Sequence, residues 1–168
     1  MAAEKYSNDV ELKQLAPQPV VSIRETVKIA ALGEAQGDRL RVLSRYLQQR
    51  GVQHAGPPFV RYHTFGDTET DVELGVPVAE PMVGEGRIVA GELPGGPVIT
   101  LWHLGAHDET LREAYARLQA WQNEHARQPS GAGWEVYFWI DVRQYRDSAT
   151  WPDLSDWRTQ LVQPLAEP

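Results

Sequence analysis

The chain has 168 residues, 42% of them hydrophobic and 23% charged, enough for one domain with a proper core and too few for two ordinary ones. It has no cysteine, which excludes disulfides, thiolate metal sites and thiol nucleophiles and fits a cytoplasmic protein. The formal net charge is −7 with no cluster of Lys and Arg, so direct nucleic-acid binding is not expected, and no apolar run approaches the roughly 18 residues of a membrane span.

Residues 1–17 are polar, lack the basic and apolar runs of a signal peptide, and end in Pro17-Gln18-Pro19; they read as a flexible arm. The β-branched stretch Val20 to Ile29 predicts a strand. A helix is expected from Asp38, with Leu40, Leu43, Tyr46 and Leu47 at helical spacing and Gly51 at its C-terminal end. Pro58 to His63 predicts a strand, Gly66 to Asp71 an acidic turn, and Val72 to Val78 a further strand. Gly86 to Leu93 and Val98 to His103 predict strands around the turn Pro94-Gly95-Gly96-Pro97. A second helix is expected from about Asp108, with Leu111, Ala114, Tyr115, Leu118 and Trp121 on one face. Gly133 to Ile140 carries the strongest strand signal, Asp141 to Trp157 reads as a long loop, and Thr159 to Leu165 closes the chain as a strand.

The two halves match. Phe59-Val60-Arg61-Tyr62 lies over Trp134-Glu135-Val136-Tyr137 at an offset of 75, and Glu73 to Val78 lies over Gln160 to Leu165 at an offset of 87. One supersecondary unit used twice implies pseudo-two-fold symmetry, with repeat 1 over about 18–80 and repeat 2 over about 85–166 of a single domain spanning 18–168. Each unit has one helix for one face of its strands, and the interface between units is a preferred place for a ligand cleft.

Glu135 stands in the middle of an aromatic strand. Strict alternation puts Trp134, Val136 and Phe138 on one face, suited to packing under Tyr115, Leu118 and Trp121, and Glu135, Tyr137 and Trp139 on the other. A carboxylate among rings must meet water, a basic partner such as Arg87 or Arg143, or a ligand. With Val60 and Tyr62 from the repeat mate, this face forms an aromatic cage, which attracts cations. Trp102 ends a strand and reaches either the groove or the core. His103 and His107 are four apart but straddle a strand-to-helix junction, without the Glu of a zinc-protease helix, so no metal is expected. The Pro94-Gly95-Gly96-Pro97 turn lacks the Lys of a phosphate loop, and no cofactor is implied.

Gly56-Pro57-Pro58-Phe59, Val72 to Val78, Leu93-Pro94-Gly95-Gly96, His103-Leu104-Gly105 and Trp134-Glu135-Val136-Tyr137, in this order over about residues 18–166, resemble the GyrI-like domain. This is the effector-binding domain of AraC-type and MerR-type multidrug regulators. The resemblance implies an α+β fold of duplicated β-α-β-β units, with antiparallel sheets, helices on one side and a central ligand groove. It implies binding of lipophilic, often cationic, aromatic compounds, with Glu135 as the ligand-facing carboxylate. Some members are implicated in hydrolysing cyclopropane-bearing genotoxins, and one protects DNA gyrase. Two departures stand out: no helix-turn-helix segment is present, which points to a stand-alone form, and Ala106-His107 replaces an aromatic residue after the glycine before the second helix.

The expectation is therefore a binder of small lipophilic or cationic aromatic molecules through Glu135, Tyr137, Trp139, Tyr62, Val60, Trp102 and His107, for drug sensing or sequestration. The alternatives are a cofactor-independent hydrolase using Glu135 and Tyr137 as acid–base groups, and a protein that shields a partner such as gyrase. No membrane partner is expected.

Overall fold

A computed structural model of the chain describes residues 8–140 and 151–168. Within them, eight strands form one antiparallel sheet: β1 (Glu11–Leu15), β2 (Gln18–Lys28), β3 (Phe59–Phe65), β4 (Glu69–Pro77), β5 (Val89–Leu93), β6 (Gly96–Leu104), β7 (Trp134–Tyr137) and β8 (Arg158–Pro164). Two helices are inserted, α1 (Leu32–Gln49) between β2 and β3, and α2 (Glu109–Glu124) between β6 and β7. The strand order is β1-β6-β8-β7-β3-β4-β2-β5. It reads as two β-α-β-β units joined at the β7–β3 seam, each extended by the lead-in strand of the other. Glu11–Leu15 pairs with β6, so the stretch read as a flexible arm contains an edge strand, held by backbone hydrogen bonds that its polar side chains do not advertise.

The register carries the duplication. Val60 pairs directly with Glu135 across the seam, Leu74 lies opposite Val60, and Leu161 lies opposite Glu135. Those pairs reproduce the offsets of 75 and 87 residue by residue, with the pseudo-two-fold axis between Val60 and Glu135.

Both helices cover the same face. Leu40, Leu43 and Leu47 of α1 pack on Val21, Ile23, Val60, Val72 and Leu74. Ala114 and Leu118 of α2 pack on Ile99, Leu101 and Leu161. The other face curls onto itself around Val20, Phe59, Leu93, Val98, Trp134 and Val162. Gly75 is required there, since a Cβ would lie 2.5 Å from the Phe59 ring.

Two boundaries beside the site differ from expectation and one agrees. Helix α1 starts at Leu32, six residues before Asp38, because a 3₁₀ turn (Ile29–Ala31) leads straight from β2 and packing overrides the poor helix propensity of Gly33 and Gly37. Helix α2 starts where Asp108 caps the Thr110 amide, as its sequence indicates. Strand β7 stops at Tyr137 rather than Ile140: its amide bonds the Pro58 carbonyl, and the Ile140 amide then folds back on the Tyr137 carbonyl. Of the loop expected over 141–157, residues 141–150 lie outside the described part, and 151–157 include a short 3₁₀ turn, Leu154–Asp156.

Candidate functional site

Glu135 sits at the seam. Its cross-strand neighbours Val60 and Leu161 belong to the clusters under α1 and α2 respectively, so the carboxyl lies between the two helices. It is 3% exposed. The Tyr137 hydroxyl donates to its Oε1 at 2.9 Å, and the Tyr115 hydroxyl of α2 donates to its Oε2. No Lys or Arg pairs with it among the described residues: Arg87 is engaged by Glu25 and Asp38, and Arg143 lies outside the described part.

This placement corrects the assignment of faces. Trp134 and Val136 pack with Phe59 and Val20 on the far side of the sheet, and Tyr115 meets Glu135 instead of covering Trp134. The pairing of Glu135 with Leu161 decides the matter, because α2 covers Leu161 and parity carries Glu135 with it. Trp102 is also on the far face: it pairs with Gln160, as Val136 does, and its ring tilts against Phe138 at 4.8 Å. It does not join the groove.

Beside Glu135, an aromatic cavity of about 140 Å³ is lined by Tyr62, Tyr137, Trp139, His107, Trp151 and Trp157, with Leu32, Gly33, Gln36 and Leu40 of α1 as the facing wall. Trp139 stacks on Trp157 at 3.8 Å and 3°, and on Tyr137 at 5.1 Å and 27°. Gly105, at φ +100°, turns the chain after β6, its amide donating to the Trp157 carbonyl. That turn sets His107 against Tyr137 and Trp157, with ring centroids at 5.3 and 5.1 Å. Thr159 Oγ1 is 2.8 Å from His107 Nε2 and accepts from the Trp139 indole at 3.3 Å. Val60 backs Glu135 from within the α1 cluster and does not line the cavity. A larger hollow of about 350 Å³ lies beside Arg41, Arg45 and Arg87, and one of about 260 Å³ on the far face; Glu135 lines none of the three, and meets the aromatic cavity only through the hydroxyl of Tyr137.

The described residues that line the cavity carry no charge at neutral pH, and Glu135 stands behind Tyr137. Burial pushes the Glu135 carboxyl up, against the opposing pull of the Tyr115 and Tyr137 hydroxyls. Burial and the nearby carboxylate push the Tyr62, Tyr115 and Tyr137 phenols up, so all three remain protonated donors. Burial, and to a lesser extent His103, lowers His107 to about 4, so it is neutral at physiological pH.

Of the residues expected from sequence, Tyr137, Trp139, Tyr62 and His107 line the cavity and Glu135 lies behind Tyr137; Tyr115, Gln36, Gly33, Trp151 and Trp157 were not expected there. Tyr115 was hidden by its place on a helical core face. Gln36 and Gly33 fell before the expected helix start. Trp157 lay in a stretch read as loop, where three tryptophans between 139 and 157 were the available signal.

The family profile of the GyrI-like small molecule binding domain matches residues 8–149. This chain belongs to that family. The GyrI-like domain superposes on the EcmrR C-terminal domain with a TM-score of 0.72 at 23% identity, covering 95% of this chain and 98% of that one. Against EcmrR in its DNA complex the TM-score is 0.76 at 21% identity, and the match spans only 58% of that chain. A hydrolase from Listeria innocua matches with a TM-score of 0.64 at 10% identity over 97% of this chain and 95% of its own. SAV2435 bound to tetraphenylphosphonium matches with a TM-score of 0.59 at 14% identity over 94% of each chain. No curated protein sequence matches. The described helices include none long and apolar enough to cross a membrane.

Proposed function

We propose that this GyrI-like domain binds lipophilic aromatic compounds, cations above all, with Glu135 as counter-charge and Tyr62, Tyr137 and Trp139 as the stacking surface. The observation that carries this is a carboxyl 3% exposed whose hydrogen bonds come from tyrosines and which has no basic partner among the described residues. Such a group is destabilising unless a cation or a proton neutralises it. Aromatic faces add attraction for a cation that purely aliphatic walls would leave in water. SAV2435, which shares the fold, was captured with tetraphenylphosphonium, a lipophilic aromatic cation. A cavity of about 140 Å³ takes one aromatic ring as it stands, so a larger ligand displaces part of the wall. Drug sensing and sequestration both start from this step.

The test is tryptophan-fluorescence titration with tetraphenylphosphonium. Saturable quenching in the wild type, at least tenfold weaker in Glu135→Gln, supports the proposal. Equal quenching in both proteins removes Glu135 from it.

A second reading, cofactor-independent hydrolysis, is favoured by the upward push on Glu135 beside a phenol donor at 2.9 Å. A carboxyl whose hold on its proton is strengthened serves as general acid or base, here for addition of water across a strained, aromatic-fused cyclopropane. Mass spectrometry separates the two. Multiple-turnover formation of substrate plus water, lost in Glu135→Gln, supports catalysis. Recovery of unaltered compound in stoichiometric amount rejects it.

A further inference from the structure

Facing the aromatic rings across the cavity, α1 presents a polar side chain for which the Glu135 anchor has no use. Gln36 is 6% exposed, and neither its Nε2 nor its Oε1 has a hydrogen-bond partner among the described residues. Its helical neighbours Leu32, Gly33 and Leu40, at spacings of three and four, line the same cavity, so Gln36 lies on the inward stripe of α1. The polar groups of His107, Trp139, Trp157 and Tyr137 around the cavity are occupied. His107 and Trp139 meet Thr159, the Trp157 indole donates to the Pro152 carbonyl, and Tyr137 donates to Glu135. A buried primary amide with an idle donor and an idle acceptor is rare in a finished core and ordinary in a site awaiting a ligand.

We propose that Gln36 is a specificity-determining residue that reads a neutral donor–acceptor edge, a carboxamide or lactam, on a single-ring aromatic ligand. The proposal rests on the aromatic cavity being the ligand site. Its volume of about 140 Å³ suits one ring with a substituent of carboxamide size. The ring then lies against Tyr137 and Trp139 while its amide pairs with Gln36 through two antiparallel hydrogen bonds. A site built to meet such an edge rejects the same shape without it, because the protein amide is again left unpaired. Gln36 thereby divides amide-bearing aromatics from purely apolar ones, a distinction that the Glu135 charge cannot make.

Three probes of matched shape test this: benzamide, acetophenone, which lacks the donor, and α-methylstyrene, which lacks donor and acceptor. Each is titrated into ¹⁵N-labelled wild type and Gln36→Leu, with shifts read at the Gln36 side-chain amide and at the Trp139 and Trp157 indoles. Benzamide should shift the Gln36 amide and lose roughly tenfold in affinity in Gln36→Leu, with a smaller loss for acetophenone and none for α-methylstyrene. The same affinity ratios in both proteins, or indole shifts without a Gln36 shift, overturn the role of Gln36 and leave the cavity standing. No binding of any probe to the wild type overturns the cavity as well. If Gln36→Leu does not fold, Gln36→Glu replaces it: its carboxylate keeps acceptors only, so acetophenone loses its one hydrogen bond while benzamide keeps its N–H donation, and the preference for benzamide over acetophenone should widen, an unchanged or narrower preference counting against the proposal.

Discussion

Binding of an aromatic cation should expel the proton from Glu135, and the affinity should therefore rise with pH. The carboxyl is 3% exposed and its burial favours the protonated form, so its pKa in the free protein lies above the ordinary 4.5. A cation resting on Tyr137, whose hydroxyl is 2.9 Å from Oε1, comes within about 5 Å of the carboxylate. At an effective dielectric constant of about 20 that attraction is about 3 kcal/mol. By reciprocity it is also the amount by which the cation lowers the proton's hold. Affinity should increase by up to tenfold per pH unit below the raised pKa, over about two decades in total, and level off above it. His107, lowered to about 4, is neutral through this window and does not contribute. Calorimetry with methyltriphenylphosphonium, in buffers of different ionisation enthalpy, measures the proton released. Triphenylphosphine oxide, neutral and of similar shape, should release none, and neither should the cation on Glu135→Gln. A pH-independent affinity without proton release anywhere above pH 4.5 would refute the electrostatic role given to Glu135.

Further outcomes follow from particular contacts. Gly33 lines the cavity, and a Cβ added there meets nothing within 4 Å, so Gly33→Leu should project into the cavity and weaken aromatic ligands by tenfold or more while the melting temperature holds or rises, since Gly disfavours helix by about 1 kcal/mol. Tyr115→Phe removes the donor to Glu135 Oε2 but keeps a ring that is already 42% exposed; urea unfolding should show a loss of about 1–3 kcal/mol at high pH that shrinks on acidification as the carboxyl protonates. The folded state depresses the His107 pKa, so between about 6.5 and about 4 the unfolded chain binds more protons and stability drops as the pH is lowered, by up to about 1.4 kcal/mol per unit; His107→Gln should flatten that slope in chemical denaturation across pH.

The fold was legible in the sequence because duplication and alternation both leave periodic marks. The match of Phe59 to Tyr62 with Trp134 to Tyr137 announced the seam at which Val60 meets Glu135. The site was legible in part. Glu135, Tyr137 and Trp139 share a face in any straight strand, and Trp139 keeps its stack on Tyr137 even though β7 ends and the chain turns there. Which face the helices cover was not legible: Trp134, Val136 and Phe138 are as apolar as any core stripe, and only the tertiary pairing of Glu135 with Leu161 fixes the answer. Tyr115 shows why such cases escape pattern reading, since its ring is 42% exposed on the helix while its hydroxyl ends on a buried carboxyl. The start of α1 escaped for the opposite reason: Gly33 and Gly37 argue against helix locally, and burial of Leu40, Leu43 and Leu47 outweighs them.

A crystal structure of the wild-type protein with tetraphenylphosphonium tests the central claim most directly. The phosphorus should lie within about 6 Å of the Tyr62 and Tyr137 ring centroids, on the side facing Glu135, with the first turn of α1 displaced to admit the phenyl groups. A cation seated in the hollow beside Arg41 and Arg87, or on the far face against Trp102, with Glu135 still enclosed by its tyrosines, would contradict it.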